Sequence, residues 1–148
     1  MYRKAFFAIC LNGFALAFTW GITVTNIPWL FDRVGIKETD LGIWFTIFAV
    51  LQLIFSQISG RLIVPLIGTT KTLMLGQLSF AIFPYIFITA SNIQTFFLSS
   101  IPLSIAAGLI FPTIASSTNF IENKTKRIYQ TYQQASFSFG FVFSGIFA

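Results

Sequence analysis

The stretch Gly60-Arg61-Leu62-Ile63-Val64-Pro65-Leu66-Ile67-Gly68-Thr69-Thr70-Lys71-Thr72-Leu73-Met74-Leu75-Gly76 decides how the rest of the chain is read. A charge-free apolar run enters it and another leaves it, and its two cations, Arg61 and Lys71, lie between glycines. That pattern is expected of a short hairpin joining two membrane helices on the side where positive charge accumulates. Pro65 and Gly68 are expected to stop the incoming helix and turn the chain, and Gly60 to let backbones come close.

Composition sets the solvent. Of 148 residues 55% are apolar, 9% are charged and 20 are phenylalanine. A soluble domain carries about 25% charged residues, so this chain could not cover itself with polar groups in water. Lipid is its expected surroundings. The net charge of +5 would suit nucleic acid, but the cations fall in the gaps between apolar runs, where membrane orientation explains them; no nucleic-acid partner is expected. The single cysteine, Cys10, cannot form an internal disulfide, and there is no histidine. Metal sites and the common nucleophile–base pairs thus lack their usual members, so neither a cofactor nor an enzymatic centre is expected.

Counting outward from the hairpin gives five apolar segments, about 5–27, 39–60, 72–90, 95–117 and 128–148. Each is near the ~20 residues a helix needs to cross the hydrocarbon core. A barrel strand would need only ~9–11 residues of alternating pattern, and these runs are about twice that and apolar on all sides. Helices are expected throughout, in a single partial membrane domain. Arg3 and Lys4 ahead of an apolar run, with Ala15-Leu16-Ala17 following, resemble a signal peptide, but the run continues to Pro28, as in an uncleaved first span. Residues 29–40 read as a loop, Ser91-Asn92-Ile93-Gln94 as a tight turn, and 122–127 as a basic loop. If the spans alternate, seven of the nine cations share one side with the N-terminus, which is therefore expected to be cytoplasmic. Trp29 and Trp44 would mark the outer interface, Tyr129 and Tyr132 the inner one.

With the spans placed, the residues resemble the N-terminal portion of the major facilitator superfamily. Gly60, Arg61, Leu62, Gly68 and Lys71 match its loop between spans two and three if one residue is inserted, although Val64 or Pro65 stands where that loop has an aspartate. Ile27-Pro28, Val34-Gly35-Ile36 and Leu41-Gly42 resemble the exit from span one and the entry to span two. Gly108 through Asn119, Glu122 and the basic loop leading to Ser136, Ser138, Gly140 and Gly145 are similar to spans four and five of fucose-permease-like, sugar or drug transporters. Many of these carry an acid where Ala115 stands. The resemblance implies an all-α membrane protein whose roughly five helices form an incomplete six-helix bundle, cut short within or just after span five. It further implies an inner or plasma membrane location, a small-molecule solute moved by alternating access, and a C-terminal half as the missing partner.

No acid or base lies inside any span, so a titrating group for proton coupling would have to lie elsewhere. What the spans offer is neutral: Asn12, Gln52, Gln57, Gln77, Asn119, Gln133 and Gln134. Each can bond a neighbouring helix, worth about 0.6 kcal/mol on average, or contact a solute. Asn12 and Trp20, eight residues apart, share one side of span one, which lines the cavity in the superfamily; Trp20 could stack on a solute or pack against lipid or protein. Together with Gln52, Asn119 and Gln133 they are the expected cavity residues. Ser136, Gly140, Ser144 and Ala148 form a small-residue stripe on span five, which the resemblance would place against a helix from the other half. The alternative reading is a small five-span scaffold or assembly protein that docks partners through that stripe.

Overall fold

A computed structural model describes residues 2–147. Every regular element among them is helical: α1 (Tyr2–Thr25), α2 (Ile27–Val34), α3 (Glu38–Ile58), a π-turn (Ser59–Ile63), α4 (Val64–Ile67), α5 (Thr69–Thr89), α6 (Ile93–Thr125) and α7 (Gln130–Phe147). Four continuous helical stretches are long and apolar enough to cross a membrane: Tyr2–Thr25, Glu38–Ile67, Thr69–Thr89 and Ile93–Thr125. The segment expected as a fifth span is the 18-residue α7, whose first two turns carry Gln130, Gln133 and Gln134. The chain divides into two compact units, one of Met1–Ile27 with Ile114–Ala148 and one of Pro28–Thr113.

In the Pro28–Thr113 unit the hairpin differs from expectation. The helix does not stop at Gly60 or Pro65 but runs on to Ile67, so that Glu38–Ile67 is continuous over 30 residues. The Val64 amide donates to the Ser59 carbonyl, five residues back, in the π-turn just before Pro65. A widened turn at this point moves the preceding carbonyls away from the proline ring, which removes the clash that otherwise breaks a helix. The reversal rests on Gly68 alone, at φ 81°, a left-handed conformation that glycine adopts without penalty.

The segment 29–40, expected as a loop, is half helical. Pro28 ends one helix in the sequence reading, yet it serves in the first turn of the next, where its missing N–H has no partner to lose. Arg33, in the last turn of α2, donates to the Ile88 carbonyl at 2.8 Å and lies 4.8 Å from the centre of the Trp29 ring. It thus closes the end of α5, where cations suit the exposed carbonyls. At the start of α3 the Lys37 amide donates to Asp40 Oδ2 at 2.9 Å, half of a capping box.

Trp44, expected to mark the outer interface, is only 1% exposed and packs as a core residue of this unit. Its indole N–H donates to the Phe96 carbonyl and to Ser99 Oγ, both at 3.1 Å. Its ring lies 5.6 Å from that of Phe96 and 6.1 Å from that of Phe87. Ser104 Oγ reaches the Phe48 carbonyl at 3.1 Å, a second polar link between α6 and α3. Gly108 lets the same two helices touch: a Cβ there would lie 2.5 Å from Phe55 Cβ and 3.0 Å from the Gln52 carbonyl oxygen.

In the other unit α1 and α7 pack along most of their lengths. A Cβ at Gly140 would sit 2.5 Å from the Phe14 carbonyl oxygen and 2.8 Å from Ala17 Cβ. Ser144 fits against Gly21 in the same way, and Phe14 meets Phe143 edge-on at 6.0 Å. The stripe of α7 was expected to face a helix outside the chain, or a docking partner; at Gly140 and Ser144 it is instead buried against α1. Small residues on both helices allow this approach, which lipid-surrounded helices need because lipid gives them no hydrophobic drive. α6 continues as helix to Thr125, so the expected basic loop shrinks to a turn at Lys126, φ 55°.

Gly108→Leu is expected to lower the thermal midpoint of the detergent-solubilised chain, by the equivalent of about 1–3 kcal/mol for an overpacked contact. Gly42→Leu, at a helical glycine with nothing within 4 Å, should leave the midpoint unchanged; circular dichroism against temperature measures both.

Candidate functional site

Four of the five expected cavity residues, Asn12, Trp20, Asn119 and Gln133, fall in the unit built from α1, α7 and the end of α6. Gln52 belongs to the other unit, half-buried on α3, where its backbone carbonyl borders Gly108. Asn12 and Trp20 are both half-buried on α1. The Asn12 amide reaches back to the Ala8 carbonyl at 3.4 Å, one turn earlier on α1.

Asn119 is exposed, with Ala115 and Ser116 one turn before it exposed as well. Spacings of three and four residues put these side chains on one face of α6, a face of one amide, one hydroxyl and small groups. Gln133 is different. It is 8% exposed, and its Nε2 lies 3.6 Å from where a Cβ on Gly13 would be, so its amide occupies the α1–α7 seam. The matched loop residues lie in the Pro28–Thr113 unit: Gly60 and Arg61 are exposed within the π-turn, Leu62 is 56% exposed, Gly68 makes the turn, and Lys71 is exposed in the first turn of α5.

Two polar groups of α6 have surroundings that the sequence reading did not foresee. Glu122 Oε1 accepts from the amides of Tyr129 and Gln130, both at 2.6 Å, so the one acid near this junction satisfies the otherwise unbonded start of α7. An acid eight residues ahead of a helix start, across a tight turn, is the signal that could have pointed to it. Thr118 Oγ1, buried on α6, has no hydrogen-bond partner, and nothing in the sequence distinguishes it from the hydroxyls around it.

Chemically, these side chains can donate and accept hydrogen bonds and stack, but no ionisable side chain stands among them. Among the described residues no three His, Cys, Asp or Glu side chains come together as a metal site. Four long apolar helices, with close seams at glycine, define an integral membrane protein. The sequence model of the Major Facilitator Superfamily matches residues 9–148, and the chain belongs to that superfamily. It is 28% identical to Multidrug resistance protein 2 of Bacillus subtilis over 142 residues, covering 95% of this chain and 35% of that protein. It is 25% identical to Quinolone resistance protein NorA of Staphylococcus aureus over 112 residues, 76% of this chain and 29% of that protein. The chain thus spans about a third of the length of these curated relatives. No solved structure matches it.

If the Asn119 face lines water, Asn119→Cys in a Cys10→Ala background should react with a hydrophilic maleimide in membranes at least about tenfold faster than Leu98→Cys, since only a hydrated thiol ionises readily. Leu98, 54% exposed on the apolar part of α6, supplies the lipid-facing comparison, and Gln133→Cys should react as slowly. Equal rates at positions 119 and 98 would show that the Asn119 face meets lipid.

Proposed function

We propose that this chain supplies N-terminal helices of a secondary transporter that moves a small organic solute by alternating access, with its N-terminus in the cytoplasm. The observation that carries this reading is the superfamily match over residues 9–148 together with relatives named for multidrug and quinolone resistance. The solute class follows from those names and from the chemistry of the faces. A drug-like, largely apolar molecule can be held by ring stacking on Trp20 and by hydrogen bonds from Asn12 and Asn119, without a fixed counter-charge. Gln52 and Gln133 then serve mainly to hold helices. The cation count supports the orientation, with seven of nine on the N-terminal side if the spans alternate.

In transporters of this type the site lies near the midplane between two sets of helices. The membrane in question is the inner or plasma membrane, and the second set of helices is the partner this reading requires. The 148 residues alone are therefore expected not to transport. Vesicles reconstituted with the chain and no other transporter should accumulate a fluorescent quinolone no faster than empty vesicles, under an imposed proton gradient in either direction. Accumulation severalfold above the empty vesicles would overturn the requirement for a second set of helices.

A further inference from the structure

We propose that the end of the α1–α7 unit where α1 begins and α6 gives way to α7 binds the headgroup of an anionic phospholipid, clamped between Arg3 and Arg127. A cavity of about 450 Å³ is lined there by Tyr2, Arg3, Thr125, Arg127 and Tyr129. Its lining contains no acid. Two guanidinium groups from opposite ends of the chain and two phenols offer only the donors that a phosphodiester accepts, and arginine suits phosphate oxygens in pairs. The Phe6 ring packs on Tyr129 at 4.5 Å and Phe120 meets Tyr2 at 6.4 Å, which positions both phenols.

Charge points the same way. The unit carries Arg3, Lys4, Lys124, Lys126 and Arg127 against the single acid Glu122, so five cations less one acid leave +4 at this end. Glu122, whose Oε1 accepts from the Tyr129 and Gln130 amides, lines a neighbouring hollow with Lys126 and Arg127 and is not among the residues of this cavity. A preference for cations on one side of a membrane accounts for the charge alone. It does not account for two arginines from opposite ends of the sequence lining one hollow.

The occupant is a lipid and not a soluble phosphate because of what continues from the cavity. Phe7 and Leu11 follow Arg3 by four and eight residues on the same face of α1, and are 69% and 56% exposed. They offer apolar surface for acyl chains directly below a phosphate bound at Arg3. Tyrosine and arginine at the end of an apolar helix are also the residues that sit at headgroup depth.

The test is lipid retention by the purified chain in nonionic detergent, read by native mass spectrometry, with phosphatidylglycerol and phosphatidylcholine of identical acyl chains offered together. Two arginines facing an anionic headgroup correspond to a preference of about 30-fold for phosphatidylglycerol. The variant R3Q/R127Q should lose that preference, whereas K124Q/K126Q, which removes the same net charge from the adjoining turn, should keep it within about threefold. Equal retention of both lipids by the native chain overturns the proposal whatever the variants do. So does equal loss in the two double variants, which would mark diffuse attraction. Displacement of the lipid by millimolar inorganic phosphate or glycerol phosphate would assign the cavity to a soluble anion and overturn the lipid as occupant.

Discussion

The structure depends on how closely two helices can approach where lipid gives them no hydrophobic reason to meet. In water, burying apolar surface would hold α1 against α7; in a bilayer the tails are as apolar as the side chains, and contact must come from packing and polar bonds. Gly140 meets that condition by presenting bare backbone to Phe14 and Ala17. Gly108 does the same for α3 and α6. At Gly140 the helices meet over backbone and a short side chain, with Phe14 and Phe143 edge-on nearby, and at Gly108 the backbone meets Gln52 and Phe55 of α3.

The polar groups follow the same logic. Trp44, Ser104 and Arg33 each reach a backbone carbonyl on another helix, so three of the polar side chains that lipid would penalise become links between helices. Glu122 performs the equivalent task for the start of α7. Of the expected cavity residues, Asn12 and Trp20 lie half-buried on α1 and Asn119 lies exposed on α6.

Much of this was legible in the chain, because hydropathy alone shows where water ends. The helical nature of the apolar runs and the superfamily follow from run lengths and from glycines in order. The errors fall where local rules meet tertiary context. Proline stops a helix in general, but Pro65 follows a π-turn and Pro28 opens a new helix, and neither arrangement is written in a single residue. The small-residue stripe of α7 was recognised as a packing face; that its partner is α1 could not be read, because a stripe specifies closeness and not a neighbour. Trp44 resembled an interfacial anchor by position, and only the carbonyl of Phe96 and the hydroxyl of Ser99 show why it is buried. For Gln133 the sequence left helix bonding and solute contact open, and its place against Gly13 favours the seam.

The close α1–α7 seam is the central claim, and disulfide trapping in membranes tests it most directly. With Cys10 replaced by alanine and Gly140 left intact, F14C/F143C should crosslink within minutes under mild oxidant, detected as a disulfide-linked peptide pair after proteolysis, because the two side chains meet edge-on across the seam, with ring centres 6.0 Å apart. The comparison pair L11C/F143C, with Leu11 56% exposed on α1, should not. Crosslinking of both pairs alike, or of neither, would contradict a fixed seam built on Gly140.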